Sequence, residues 1–421
     1  MASSGRNFGA GSGRKERLPM RNKEDSPFTP GNPVPVELFV GREAQIEDIL
    51  RYGRQACTGR LESVFLTGDR GIGKSSLAQF VKELCQKDCN MLGIHTHLGG
   101  VTTVDELVRR VFDQLLKEAH TQTWFSKIKG FFGNYIEDIG LFGVSVKFAP
   151  PKDQLDGVVR DFPAALRNVH EALKDEKQGL LIILDDLNGL ADQLDFANWY
   201  KSFVDQTATR GLHVPVLFIL CGLPERRYSL VGLQPSLMRV FHIAEVERLS
   251  DEEVDRFFLE AFHNVGVQLS EQLGSDNGLT PMEIMVESCS GMPTLMQEVG
   301  SAVYSTDDDG IVDGKDALEG IRKAAEEVGQ KYLDPIVYRA IRSPRYRAIL
   351  DKIAQSFAGE FHKQHMETLL NDDEKRVFDN FLRKMTQLGV IEADRDSGRG
   401  AYRFVNSLFL TYLRMQSSAA P

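Results

Sequence analysis

The sequence predicts an α/β fold: a parallel sheet covered by helices on both faces, then a helical subdomain, then a module of three helices and a hairpin. Three observations carry that prediction. Strand candidates at Leu61–Thr67 and Met91–His97 and continuous apolar runs at residues 180–184 and 214–221 alternate with helical patterns, as buried parallel strands do. A glycine-rich loop joins the first run to the helix behind it. Beyond Leu249 the alternation stops, and helical spacing takes over to about Tyr332.

A chain of 421 residues exceeds one core and suggests two to four domains. Its 42% hydrophobic, 26% charged and 9% aromatic content is globular, and a formal charge of -10 argues against a surface coated in nucleic acid while leaving room for one basic domain. The segment with Arg6, Arg14, Lys15 and Arg17 lacks the apolar core of a secretory signal. The longest apolar run, residues 214–223, is about half of the roughly 20 residues a membrane span needs. Cys57, Cys85, Cys89, Cys221 and Cys289 are scattered and odd in number, as reduced thiols are; no second Cys/His pair at metal spacing follows Cys85 and Cys89. A cytoplasmic protein without a membrane span is expected.

Residues 1–35, rich in Gly, Ser, Pro and charge, are expected as a disordered arm ending in an extended Pro-rich lead-in. Residues 36–248 form the core, with Ile46, Ile49 and Leu50 at helical spacing, a helix over 75–86 burying Leu77, Phe80, Val81 and Leu84, and another over 103–119. Within it, residues 120–150 are expected as an insertion. Phe125, Phe131, Phe132 and Tyr135 stand there beside Lys127 and Lys129, and 144–148 alternate like a hairpin strand, which favours packing on the core over a partner or membrane-surface contact. Ser250 with Glu253 has capping-box spacing and opens the helical lid, 249–335, which includes the turn Asp307-Asp308-Asp309-Gly310. In 336–421, helices at 346–356, about 361–370 and 374–388 precede a hairpin from Val390-Ile391 that turns at Asp396-Ser397-Gly398 and returns at 402–405. That is the winged-helix arrangement.

Gly68-Asp69-Arg70-Gly71-Ile72-Gly73-Lys74-Ser75 fits the phosphate-binding pattern G-x-x-x-x-G-K-[ST] in its required strand–loop–helix setting, and so marks a P-loop NTPase. Gly68, Gly71 and Gly73 let backbone N–H groups converge on phosphates, at a helix start that favours negative charge. Lys74 is expected on the β- and γ-phosphates, the Ser75 hydroxyl on Mg2+, and Ser76 beside it in the nucleotide site. The run 180–184 ends in Asp185-Asp186: Asp185 is expected in the magnesium shell and Asp186 as the residue that orients an attacking water. The expected cofactors are ATP and Mg2+.

With these motifs in place the sequence resembles the AAA+ and STAND ATPases, on the branch near the origin-recognition initiators. The resemblance rests on Phe39-Val40-Gly41-Arg42-Glu43, on Gly68 through Ser75, on the run ending in Asp185-Asp186 and on Gly291-Met292-Pro293, and spans about residues 36–330 with a weaker winged-helix match beyond. It implies that Val40 packs on the adenine, that the helical subdomain is a lid, and that Arg239 stands where a neighbouring subunit's arginine finger sits, with Arg226 and Arg227 as rivals. Three departures stand out. Asp186 replaces a Glu, Leu220-Cys221-Gly222 ends the strand that usually offers a polar sensor, and Gly291-Met292-Pro293-Thr294 has no arginine for the γ-phosphate, resembling instead the Gly-x-Pro of STAND switches. Each missing polar group weakens transition-state stabilisation, so slow hydrolysis is expected.

His95 and His97 share one strand face, with no acidic or thiol partner at ligand spacing, and are expected as ordinary strand-end histidines in preference to a metal site. From Arg339 onward 14 basic side chains face 10 acidic ones. The third helix there offers Lys375, Arg376, Arg383 and Lys384 and the wing Arg395, Arg399 and Arg403, but Asp372, Asp373, Glu374 and Asp379 share that helix. Double-stranded DNA and a protein partner both fit this module. The expectation is an ATP/ADP-controlled regulatory switch ATPase that associates with a partner, with an initiator-like DNA-binding factor as the alternative; self-association is a family-level expectation.

Overall fold

The computed structural model describes residues 25–119, 124–139, 145–209, 213–273, 278–339, 343–357, 359–394 and 397–419. The chain divides into two units: Gly31–Phe257 with Gly291–Thr294, and Phe258–Ser290 with Leu295–Pro421 and the described residues before Gly31.

In the first unit a 3-10 turn at Val36–Leu38 leads into α1 (Glu43–Cys57), β1 (Leu61–Thr67), α2 (Lys74–Asp88), β2 (Met91–His97) and α3 (Val104–Ala119). Next come α4 (Phe125–Phe132), the hairpin of β3 (Ile136–Ile139) and β4 (Ser145–Phe148), α5 (Lys152–Arg160) and α6 (Phe162–Leu173). The unit continues with β5 (Gly179–Asp185), α7 (Leu194–Thr209), β6 (Val216–Gly222), α8 (Pro224–Leu233) and β7 (His242–Glu245). Five strands pair in parallel in the order β2-β5-β6-β1-β7. Every residue of β5 and β6 is buried, because helices cover both faces, and this is why their sequences are unbroken apolar runs. β7 is the exception. It lies at the sheet edge, only Ala244 of its four residues is buried, and so it carries no apolar run to announce it.

The insertion packs on the core. Phe112 of α3 meets Phe132 and Phe148 at ring distances of 5.1 and 5.0 Å, and Trp124 and Ile128 are buried with them. The side chain of Phe131 and residues 120–123 and 140–144 lie outside the described residues. No helix of the described residues is long and apolar enough to cross a membrane.

α9 (Asp251–Asn264) opens on the expected capping box: the Ser250 N–H donates to Glu253 Oε2 at 2.8 Å and the Glu253 N–H to Ser250 Oγ at 3.3 Å. After it come β8 (Gln268–Leu269), α10 (Pro281–Cys289), α11 (Pro293–Thr306), β9 (Ile311–Val312), α12 (Gly314–Val328) and a π-helical stretch, Gly329–Arg339. The last elements are α13 (Pro344–Ser356), β10 (Glu360–His362), α14 (Lys363–Leu369), α15 (Asp372–Gln387), β11 (Ile391–Ala393), β12 (Ala401–Phe404) and α16 (Ser407–Ala419).

The second unit departs from expectation in three places. α16, which the sequence reading lacks, packs on α10, α12 and α13. Phe361, expected to be helical, lies in β10, which completes a three-stranded antiparallel sheet with β12 and β11. The expected N-terminal arm ends early: Phe28 is buried edge-on against Phe262 at 5.2 Å, and the Thr29 N–H donates to Gln297 Oε1 at 2.7 Å. Residues 1–24 of that arm lie outside the described residues.

Candidate functional site

β1 delivers its last residue, Thr67, to the carboxyl edge of the sheet, and α2 starts at Lys74, so residues 68–73 must turn between them. Gly71 and Gly73 adopt φ of +79° and +95°, the left-handed region where a side chain is strained. Gly73 is the N-cap of α2 and supplies no side-chain cap, so the first N–H groups of the helix remain available for an anion. Lys74 Nζ donates to the carbonyls of Gly68 (2.8 Å) and Asp69 (2.7 Å), and burial lowers its pKa below the usual lysine value. The Ser76 hydroxyl accepts the Val34 N–H at 3.2 Å.

β5 brings Asp185 to the same edge, and the Ser75 hydroxyl hydrogen-bonds its carboxylate, joining the two residues expected to hold magnesium. Burial pushes this carboxyl up, but the two imidazoles and the Ser75 hydroxyl set against it outweigh that and hold the group well below the usual carboxylate range. The Asp185 carboxylate has neighbours that the sequence reading did not foresee. β2 runs beside β5 with His97 opposite Asp185, which sets His95 Nε2 at 3.2 Å and His97 Nδ1 at 3.4 Å from Asp185 Oδ2. The expectation that these histidines lack an acidic neighbour is therefore corrected: the acid comes from the next strand, and strand order is not written in local spacing.

Asp186 follows in a left-handed conformation (φ +62°), exposed, with its carboxylate bonded by the Asn188 amide. Cys221, at the end of β6, is fully buried; burial, with the negative charge of Asp185, raises its thiol pKa well above the usual value, and the charge of Lys74 opposes this. Arg239 is exposed at the end of the 3-10 turn Pro235–Arg239, Arg226 pairs with Asp192, and the Arg227 guanidinium lies 5.2 Å from the Tyr228 ring centre.

Two residues buttress the glycine loop, and no role was read for either from the sequence. Arg42, itself left-handed at φ +67°, donates from Nη2 to the Ile72 carbonyl at 2.7 Å and from Nη1 to the Glu247 carbonyl at 2.9 Å. Burial lowers its pKa to about 10. The neighbouring Val40 is buried, and Phe39 stacks on Phe80 at 4.5 Å. Thr294 Oγ1 donates to the Gly71 carbonyl at 2.8 Å, and Gly291 accepts the Leu249 N–H at 2.9 Å. The signal for both was present in the short motifs around Gly41 and Pro293. What those motifs lacked was a stated contact.

In α15, Glu374 is turned inward: it closes a capping box with Asn371 and accepts Lys352 Nζ at 2.6 Å. Asp373 pairs with Arg376 at 3.3 Å, Asp379 with Lys363 at 2.5 Å, and Arg403 with Glu392 at 2.7 Å. Lys375, Arg383, Lys384 and Arg399 are exposed, and Arg395 lies outside the described residues.

Residues 38–219 match the family model described as AAA ATPase domain. Among solved structures the chain is similar to the Walker-type ATPase PABY2304 of Pyrococcus abyssi, with 16% identity and a TM-score of 0.50, over 89% of this chain and 96% of that one. It is also similar to the Aeropyrum pernix ORC2 protein, with 12% identity and a TM-score of 0.54, over 95% of this chain and 99% of that one. Among curated proteins no sequence match is found. At these identities the structural matches speak for the fold, which is that of the P-loop NTPases. Residues 38–219 are thus similar to an AAA ATPase domain, on a fold of the P-loop type.

Proposed function

We propose that the chain is an ATP-binding, slowly hydrolysing regulatory switch whose nucleotide state sets its association with a partner. The observation that carries this reading is the hydrogen bond from Thr294 to Gly71, because it ties the first turn of α11 to the loop that would hold the phosphates.

The residues present fit Mg2+ and a nucleotide. Ser75 and Asp185 pair hard oxygen donors, which suit Mg2+, and the uncapped start of α2 suits phosphate. Magnesium bound there would offset the negative charge of the β- and γ-phosphate oxygens. Lys74 would exchange the Gly68 and Asp69 carbonyls for phosphate oxygens. Any accompanying shift of Gly71 changes its bond to Thr294, so the segment Gly291–Thr294 responds to what the loop holds.

Turnover is expected to be slow for reasons visible at the site. The Asp186 carboxylate is held by Asn188, and Cys221 offers only a protonated thiol where a polar sensor would act. The Aeropyrum pernix ORC2 protein, of similar fold, was solved in ADPNP–ADP complexes, which is in keeping with nucleotide binding on this architecture. Amide hydrogen exchange of α11 in ATP, ADP and nucleotide-free protein tests the switch. A difference between ATP and ADP that Thr294→Val abolishes is expected, whereas identical exchange in all three states contradicts it.

A second reading, an initiator-like factor that loads on duplex DNA, is favoured by one observation. Asp373, Glu374 and Asp379 on α15 are engaged by Arg376, Lys352 and Lys363, so the exposed Lys375, Arg383 and Lys384 of that helix face solvent with less acidic competition than the sequence suggests. In either reading Arg239 is the arginine that would complete a neighbouring copy's site.

A further inference from the structure

The cluster of His95, His97 and Asp185 sets two imidazole nitrogens against one carboxylate oxygen. Gln79 Nε2 donates to Glu83 Oε1 at 3.2 Å, which turns the Gln79 amide oxygen toward His95 Nδ1, also at 3.2 Å. A carbonyl oxygen only accepts, so Nδ1 carries the hydrogen. The other nitrogen, Nε2, then points its lone pair at Asp185 Oδ2, a second acceptor 3.2 Å away. Two acceptors in that position are drawn together by a positive centre between them: an extra proton or a metal ion.

The two histidine–carboxylate distances suit the metal. Two ligands on a tetrahedral ion with bonds of about 2.0–2.1 Å stand about 3.3–3.4 Å apart. The two histidine–carboxylate separations are 3.2 and 3.4 Å, and the three donor atoms all lie within 4.8 Å of one another. Two imidazoles and a carboxylate form a donor set suited to zinc and its neighbours rather than to magnesium. Gln79 supplies the outer hydrogen bond that orients a ligating histidine. His95 and Asp185 are buried while His97 is exposed, which leaves one side open for entry.

We propose that His95, His97 and Asp185 form a site for a borderline divalent transition metal such as Zn2+, and that this ion competes with the nucleotide's Mg2+ because both need the Asp185 carboxylate. Metal binding here requires no nucleotide, so it stands or falls separately from the switch reading.

The test is calorimetric titration of Zn2+ alone into the full chain, stripped of metal by chelation and free of nucleotide. One equivalent is expected to bind, and His97→Ala is expected to weaken it by at least tenfold; His97 is exposed, so the variant should fold. His95→Gln is expected to do the same, and Lys74→Ala to leave Zn2+ binding intact. Absence of a stoichiometric site, or equal binding by wild type and both histidine variants, overturns the site. Zn2+ added ahead of Mg2+ and ATP should weaken ATP binding in wild type and not in His97→Ala. An equal effect on both, or none on either, overturns the competition.

Discussion

Thr294 Oγ1 donates to the main-chain oxygen of Gly71 at 2.8 Å, and the glycine and the threonine each constrain what the other position tolerates. A Cβ built on Gly71 would stand 2.5 Å from Thr294 Oγ1, on a backbone whose φ of +79° already disfavours a side chain. Gly71→Ala is therefore expected to lose most ATP affinity. Gly100→Ala has a similar φ of +78° but nothing within 4 Å, and is expected to cost only about 1 kcal/mol of stability and leave ATP binding unchanged. Equal ATP affinities for the two variants would contradict the close packing of Thr294 on the loop.

Arg42 holds two main-chain oxygens at once, those of Ile72 and Glu247, from a buried position. Arg42→Ala leaves both carbonyls short of a donor and is expected to cost about 3 kcal/mol, read by urea denaturation, with a fall in ATP affinity because Ile72 belongs to the phosphate loop. Arg42→Lys should recover only part of this, since an ammonium lacks the planar fork. Full recovery by lysine would show that charge alone matters there.

Acid sensitivity in the second unit is expected to trace in part to Glu374. Burial raises this carboxyl, but the Lys352 bond and the Asn371 N–H outweigh it, so its folded pKa lies below the ordinary value of 4.5. A carboxyl depressed on folding contributes stability that is fully present above its unfolded pKa and is lost as pH falls through the lower folded value. Glu374→Gln should therefore lower stability at neutral pH and flatten its decline below about pH 4.5. Measuring unfolding free energy from pH 7 to pH 3 in both proteins checks this, and parallel curves would refute it.

The DNA reading makes a prediction about salt. If α15 and the hairpin bind duplex phosphates, affinity should fall steeply between about 50 and 200 mM salt. Replacing Lys375, Lys384 and Arg399 with alanine should then reduce the slope by about one unit for each phosphate left without its cation. Binding that is absent in both nucleotide states would leave the terminal elements as a protein-binding surface.

Much of this was legible in the sequence, and what was not has a physical cause. β1 and β2 fall on the limits read for them, because most of their residues are buried and so carry the apolar side chains that mark a strand. β7 was not legible, since a four-residue edge strand with one buried side chain leaves almost no pattern. The loop from Gly68 to Ser75 was legible because its backbone geometry demands glycine at fixed places. The pairing of His95 with Asp185 was not: the two are 90 positions apart, and only the order of β2 and β5 in the sheet brings them together. Arg42 and Thr294 sat inside motifs that were noticed, but a motif names residues and not the carbonyls they reach.

The central claim is that Lys74 and the glycine loop bind ATP and that the chain responds to it. The most direct test is titration of ATP with Mg2+ into wild type and Lys74→Ala, with hydrolysis measured in the same samples. The account predicts saturable binding and slow turnover by wild type, with affinity lowered at least tenfold and turnover abolished in the variant. Unchanged affinity and hydrolysis in Lys74→Ala would contradict it.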